Sequence, residues 1–133
     1  MGRTTRAMGR MLQNMFVNAG YDITIEQWVI IVNLNRQNSQ FQQQLADNTY
    51  KNKTSVTRMI TSLQKRGLVE RIPDTDDLRQ NRIFLTDKGR QLYSELAPLA
   101  RQVQQKATMG IQPGELESCM KIVLKIYGNI REE

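Results

Sequence analysis

Lys53, Thr54, Ser55, Thr57, Arg58 and Thr61 lie in a stretch that holds no acid between Asp47 and Glu70. Thr54, Thr57, Arg58 and Thr61 recur at i, i+3, i+4 and i+7, which puts them on one face of a helix. Val56, Met59, Ile60 and Leu63 repeat that spacing on another face and form an apolar stripe. A solvated helix face of this length ordinarily mixes Glu with Lys, since i,i+4 pairs stabilise it. Short hydroxyls beside unopposed cations suit a surface that approaches phosphates and base edges. Arg58 can reach a guanine edge or a phosphate at the groove wall, and the threonine methyls can meet a thymine.

The flanking sequence supplies a frame for that face. Lys65 and Arg66 favour the negative end of the helix dipole, and Gly67 provides a left-handed stop. Two strand-like runs follow, Leu68–Ile72 and Arg82–Leu85, with Ile83 and Leu85 directed inward. Between them PDTDDLRQN is turn-rich and carries Arg79 near its tip, with Arg82 at its foot. Helix, stop and basic β-loop are the parts of a winged helix-turn-helix. Residues 51–90 hold ten basic and five acidic residues, so most of the net +6 lies in this unit. Arg79 has two readings, a minor-groove contact or an exposed ion pair with Asp76 or Asp77. The acids Asp74, Asp76 and Asp77 resemble a cation loop only superficially, because no glutamate closes it at the required spacing.

The remaining chain must position this unit. Met8, Met11, Leu12, Met15, Phe16 and Ala19 predict an amphipathic helix ending at Gly20, with Arg3, Arg6 and Arg10 on its solvated side or forming a basic arm. Thr24 and Gln27 form a capping-box pattern, with Ile23 and Trp28 at staple positions, opening a helix that faces Trp28, Ile31, Val32 and Leu34 inward. A short helix, QQQLADNT, follows; Ser39 with Gln42 fits a capping box one turn early, while Phe41 occupies the spot where a polar cap is expected. Thr86 caps a long helix in which Pro98 predicts a bend, with a break as the alternative. Pro113 opens a last helix striped by Leu116, Met120, Val123, Tyr127 and Ile130.

These totals bound the function. A chain of 133 residues suits one domain, mainly α with a small β-hairpin (α+β), its winged core at about 24–86. The apolar faces of the segments at about 3–19 and 87–132 call for a second copy, or else fold back on a monomer core. No apolar run reaches the ~18 residues of a membrane span, and no signal core opens the chain, so the expected compartment is cytoplasmic. A lone cysteine, Cys119, fits a reducing compartment; on an apolar stripe it is expected to be buried and inert, with a thiol sensor as the rival. With no histidine, phosphate loop or metal-ligand cluster, neither an enzyme nor a metal or cofactor is expected. A winged helix serving protein assembly remains the other class, against which the acid-free face argues.

The runs LADNTYKNKTSVTRMITSLQKRGLVER and PDTDDLRQNRIFLTDKGR resemble the MarR (multiple antibiotic resistance regulator) family, and the flanking helices fall where that family dimerises. The resemblance covers nearly the whole chain and implies a homodimeric transcriptional regulator on a pseudo-palindromic operator in double-stranded DNA. It implies a repressor released by a small aromatic or other apolar effector. Lys53, Thr54, Ser55, Thr57 and Arg58 match the family's major-groove helix, Arg79 its minor-groove arginine and Asp77 the acid that shapes the wing. Thr61 and Arg82 are further DNA-facing candidates, and Met15, Trp28 and Tyr93 are candidate pocket walls.

Overall fold

A computed structural model of the chain describes residues 2–49 and 51–131. Helices α1 (Gly2–Asn18) and α2 (Ile25–Arg36) are followed by the two-residue strand β1 (Gln40–Phe41) and helices α3 (Gln42–Thr49) and α4 (Lys53–Lys65). Strands β2 (Val69–Pro73) and β3 (Asn81–Leu85) lead to the long helices α5 (Asp87–Ala107) and α6 (Pro113–Ile130). The fold is mostly helical, with one antiparallel sheet in the order β1-β3-β2.

Local chemistry sets the element boundaries. The Thr24 hydroxyl accepts from the Gln27 N–H at 3.1 Å, and the Gln27 side chain accepts from the Thr24 N–H at 3.1 Å, completing the capping box of α2. Asn52 caps α4 through the Ser55 N–H at 2.8 Å. Gly67, at φ 73°, ends α4 in the left-handed region, where the Leu68 N–H reaches back to the Leu63 carbonyl. Thr86 caps α5 by accepting from the Gly89 N–H at 3.0 Å, and its hydroxyl donates to the Gly67 carbonyl at 2.6 Å. Gly89 is fixed by close packing: a methyl there would overlap the Leu68 carbonyl oxygen.

One core serves the winged unit and its flanks. Ile23, Ile31, Leu34, Leu45, Ile60, Leu63, Ile83 and Leu85 are buried together with Phe16 of α1 and Leu96 of α5. Helix α2 is buried on more than one side, since Ile30 is fully enclosed while Val32 is only half-buried. Helix α6 differs: it buries no residue, and Ile122, Leu124, Ile126 and Ile130 stand exposed.

Two expectations are revised and one alternative is decided. The sheet has three strands, because Gln40 and Phe41 pair with Ile83 and Arg82. No Ser39–Gln42 capping box forms; Ser39 turns the chain at φ 64°, and the Phe41 N–H that precedes α3 donates to the Gln44 side chain at 2.8 Å. Helix α5 runs on through Pro98, so the alternative of a break at that residue does not hold.

Candidate nucleic-acid interface

Helix α4 packs its apolar stripe, Val56, Ile60 and Leu63, into the core and leaves Lys53, Thr54, Thr57 and Arg58 exposed. Ser55 and Thr61 are half-buried. Neither Lys53 nor Arg58 forms a salt bridge among the described residues. Both cations are therefore available to an outside anion. The threonine hydroxyls are already engaged: Thr57 donates to the Lys53 carbonyl at 2.9 Å, and Thr61 to the Thr57 carbonyl at 2.9 Å. Such back-bonding occupies both hydroxyls within the helix. Gln42 of α3 donates to the Thr57 hydroxyl at 3.1 Å, tying the two helices of the helix-turn-helix.

The loop between β2 and β3 is closed by its own polar groups. The Asp74 N–H donates to the Gln80 carbonyl at 2.8 Å and the Gln80 N–H to the Asp77 carbonyl at 3.0 Å. The Asp77 carboxylate accepts from the N–H of Arg79 at 3.1 Å and from its Nε at 3.2 Å. The Arg79 side chain nevertheless remains 91% exposed. A solvated pair of this kind is worth at most about 1 kcal/mol, so it does not prevent the guanidinium from turning to another anion.

Arg82 has different surroundings. Its Nε donates to Asp74 at 2.9 Å, and its guanidinium lies 4.1 Å over the centre of the Phe41 ring. Asp74 is buried, also accepts from the Asp77 N–H at 3.2 Å, and has its carboxyl held below the usual range chiefly by the Arg82 hydrogen bond. Arg82 and Asp74 thus fasten the base of the loop to β1. Among the described residues no group of three or more Asp, Glu, Cys or His side chains is placed to hold a metal ion.

The sequence places Asp74 only among the loop acids and Gln42 only as a cap partner, and it assigns no role to Arg71. Arg71 carried a legible signal, since it is a charged residue two positions from Val69, on the same side of a strand run.

The candidate pocket walls come together only in part. Trp28 stacks on Tyr93 with ring centroids 5.5 Å apart and meets the Phe16 ring edge-on at 5.6 Å. The three rings pack against the core where α1, α2 and α5 meet, and Met15 is half-buried on α1. The open clefts lie elsewhere. One of about 1200 Å³ is lined by Arg36, Gln40, Asp47, Lys51 and Tyr127, another of about 610 Å³ by Thr24, Gln27, Ser55 and Arg58. Cys119, expected to be buried, is exposed on α6, a helix that buries none of its side chains. No helix among the described residues is long and apolar enough to cross a membrane.

A helix-turn-helix whose second helix presents unpaired cations, followed by a hairpin with an exposed arginine, defines a winged-helix DNA-binding protein. The MarR family model matches residues 23–80, the stretch from the entry of α2 to the wing. The winged unit thus carries a MarR-type domain, and members of that family are transcriptional regulators, not enzymes. Similar structures include a MarR-family regulator from Silicibacter pomeroyi, with a TM-score of 0.85 and 24% identity, over 100% of this chain and 88% of that one. BpsR of Bordetella bronchiseptica, solved to explain regulation of its DNA binding by 6-hydroxynicotinic acid, gives 0.76 and 25%, over 94% and 96%. A mutant of E. coli MarR complexed with operator DNA gives 0.84 and 21%, over 94% and 89%.

Proposed function

We propose that the chain is a homodimeric repressor of the cytoplasm that binds a pseudo-palindromic operator and is released from it by a small aromatic effector. The observation that carries the DNA-facing part is the exposed, acid-free face of α4, with Lys53 and Arg58 unpaired beside Thr54 and Thr57. In this reading α4 enters the major groove, with Ser55 and Thr61 at its margins. Arg79 enters a narrow, A·T-rich minor groove, where the negative potential is deepest. Asp77 holds the loop that aims Arg79, and Arg82 acts through Asp74 and Phe41 at the wing base more than on DNA. Phosphate contacts supply most of the affinity, and a few base contacts supply the preference.

The winged core, about 24–86, is the reading unit, and the segments at about 3–19 and 87–132 join two copies; residue 132 lies outside the described residues. The exposed apolar face of α6 supports that pairing. BpsR, whose DNA binding is regulated by 6-hydroxynicotinic acid, supports an aromatic carboxylate as effector. Such a ligand would act where α1, α2 and α5 meet, at Met15 and the Trp28–Tyr93 stack, by favouring one separation of the two lobes over another.

Gel-shift titration against the DNA upstream of the chain's own coding region, at about 50 and 200 mM salt, tests the reading. Wild type should bind with strong salt dependence, and 6-hydroxynicotinic acid or a related aromatic carboxylate should weaken binding. Arg79→Ala should lose about tenfold in affinity and reduce the salt slope by about one. Salt-insensitive or absent binding would favour an assembly module. Unchanged affinity of the Arg79 variant at both salts removes the wing from the mechanism.

A further inference from the structure

Arg71 occupies an inward slot. It stands directly across from Ile83 in the β2–β3 ladder, and Ile83 is fully buried, so both side chains share the core face. The next residue, Ile72, is opposite Arg82 and 45% exposed. The in–out alternation of β2 therefore continues through this point, but with a half-buried cation on the core side and an isoleucine outside.

The inward arginine reaches the DNA-facing helix. Its Nη2 donates to the Thr57 carbonyl at 3.0 Å and to the Thr61 hydroxyl at 2.9 Å, and its Nη1 to the Gln64 side chain at 3.2 Å. The Thr57 hydroxyl in turn accepts from Gln42 of α3. A continuous polar path thus runs from the wing strand, across two turns of α4, to the first helix of the helix-turn-helix. The Arg71 Nε is buried and has no hydrogen-bond partner among the described residues. An apolar side chain would fill the slot without that desolvation cost. What an apolar side chain cannot do is hold α4 at a fixed rotation relative to the wing, which the planar fork does with three acceptors at once.

We propose that Arg71 is a positioning residue that locks the wing to α4, so that the major-groove and minor-groove contacts are made as one unit. It acts through Thr57, Thr61 and Gln64 and touches no DNA itself. The proposal rests on the reading of α4 and the wing as the DNA-facing elements. Without the lock, each element can still bind phosphates, but the two no longer arrive at the spacing an operator presents.

The test compares operator with non-specific DNA for Arg71→Met and Arg71→Lys, each alone and combined with Arg79→Ala. Arg71→Met keeps the volume and should melt cooperatively. It should lose about tenfold in operator affinity while non-specific affinity and salt slope stay unchanged. Arg71→Lys retains the charge without the fork and should fail to rescue. Adding Arg79→Ala to either variant should cost less than it costs wild type, because an unlocked wing already contributes little to the operator preference.

Unchanged operator affinity in both Arg71 variants overturns the proposal. So does full rescue by lysine, or an equal loss on both DNAs with a shallower salt slope, which would make Arg71 a phosphate ligand. If Arg71→Met does not fold, Arg71→Lys decides. An Arg58→Ala or Arg79→Ala variant that binds operator like wild type removes the reading beneath the proposal, whereas a loss there with intact Arg71 variants removes only the lock.

Discussion

The arginines of the hairpin differ by what surrounds them, not by their charge. Arg79 lies on a carboxylate in water and is free to exchange it for phosphate; Arg82 lies on a buried carboxylate and an aromatic ring; Arg71 is turned into the protein. Asp74 determines the role of Arg82. Its carboxyl is depressed below the usual 3.8 by the Arg82 hydrogen bond, with further support from the N–H groups of Asp77 and Asp76 and against the cost of burial. A depressed acid stabilises the fold above its unfolded value, and that contribution is lost as pH falls through the folded value. Asp74→Asn should therefore lower the melting temperature at pH 7, and its deficit against wild type should shrink below about pH 3.8. A deficit that stays constant down to pH 3 would mean that the Arg82 pair contributes nothing to stability. The pairing is not legible in the sequence, because the two residues meet only once the hairpin has closed between them.

At the scale of elements, the junction between wing and long helix is set by contact distance. Thr86 caps α5 and donates to the Gly67 carbonyl, which brings the first turn of α5 against the strand entry at Leu68. Only a residue without Cβ fits there, so Gly89→Ala should destabilise the protein by about 1–3 kcal/mol. Chemical denaturation measures this directly, and a loss within a few tenths of a kcal/mol would show that the junction yields. Caps of this kind are readable from the chain because their donors and acceptors lie within three residues: Thr24 with Gln27 is one, Thr86 before a helical run another. Strand β1 is not. Gln40 is a buried polar residue whose amide donates to the Asn33 and Gln37 carbonyls and accepts from Asn48. Its polarity predicts a surface position, and only the fold supplies the partners that allow it to be buried. The placement of Arg71 and Ile72 is intermediate, since the alternation rule flags the position but cannot name the helix it reaches.

The whole molecule is asymmetric in how it buries its apolar surface. Phe16 of α1 and Leu96 of α5 join the winged core, so those two helices do fold back, as a monomeric reading requires. Helix α6 does not. Its exposed side chains include Met120, Ile122, Leu124, Ile126 and Ile130, the last 73% exposed, and they are distributed around the helix. A helix that is apolar on several sides needs more than one neighbour, and the proposed two-fold pairing of this segment with its own copy would provide them and present two α4 helices to the two halves of an operator. Ile122→Glu combined with Ile126→Glu should therefore separate the copies without unfolding the protomer, because neither residue reaches the core. Sedimentation velocity at micromolar protein should give twice the 15.4 kDa protomer mass for wild type and the single mass for the variant. The separated variant should retain a cooperative melt and lose most of its operator affinity, since one winged unit reads only half a palindrome. A wild type that sediments as one protomer, or a double variant that still pairs, would end the dimer reading and return α6 to the search for another partner.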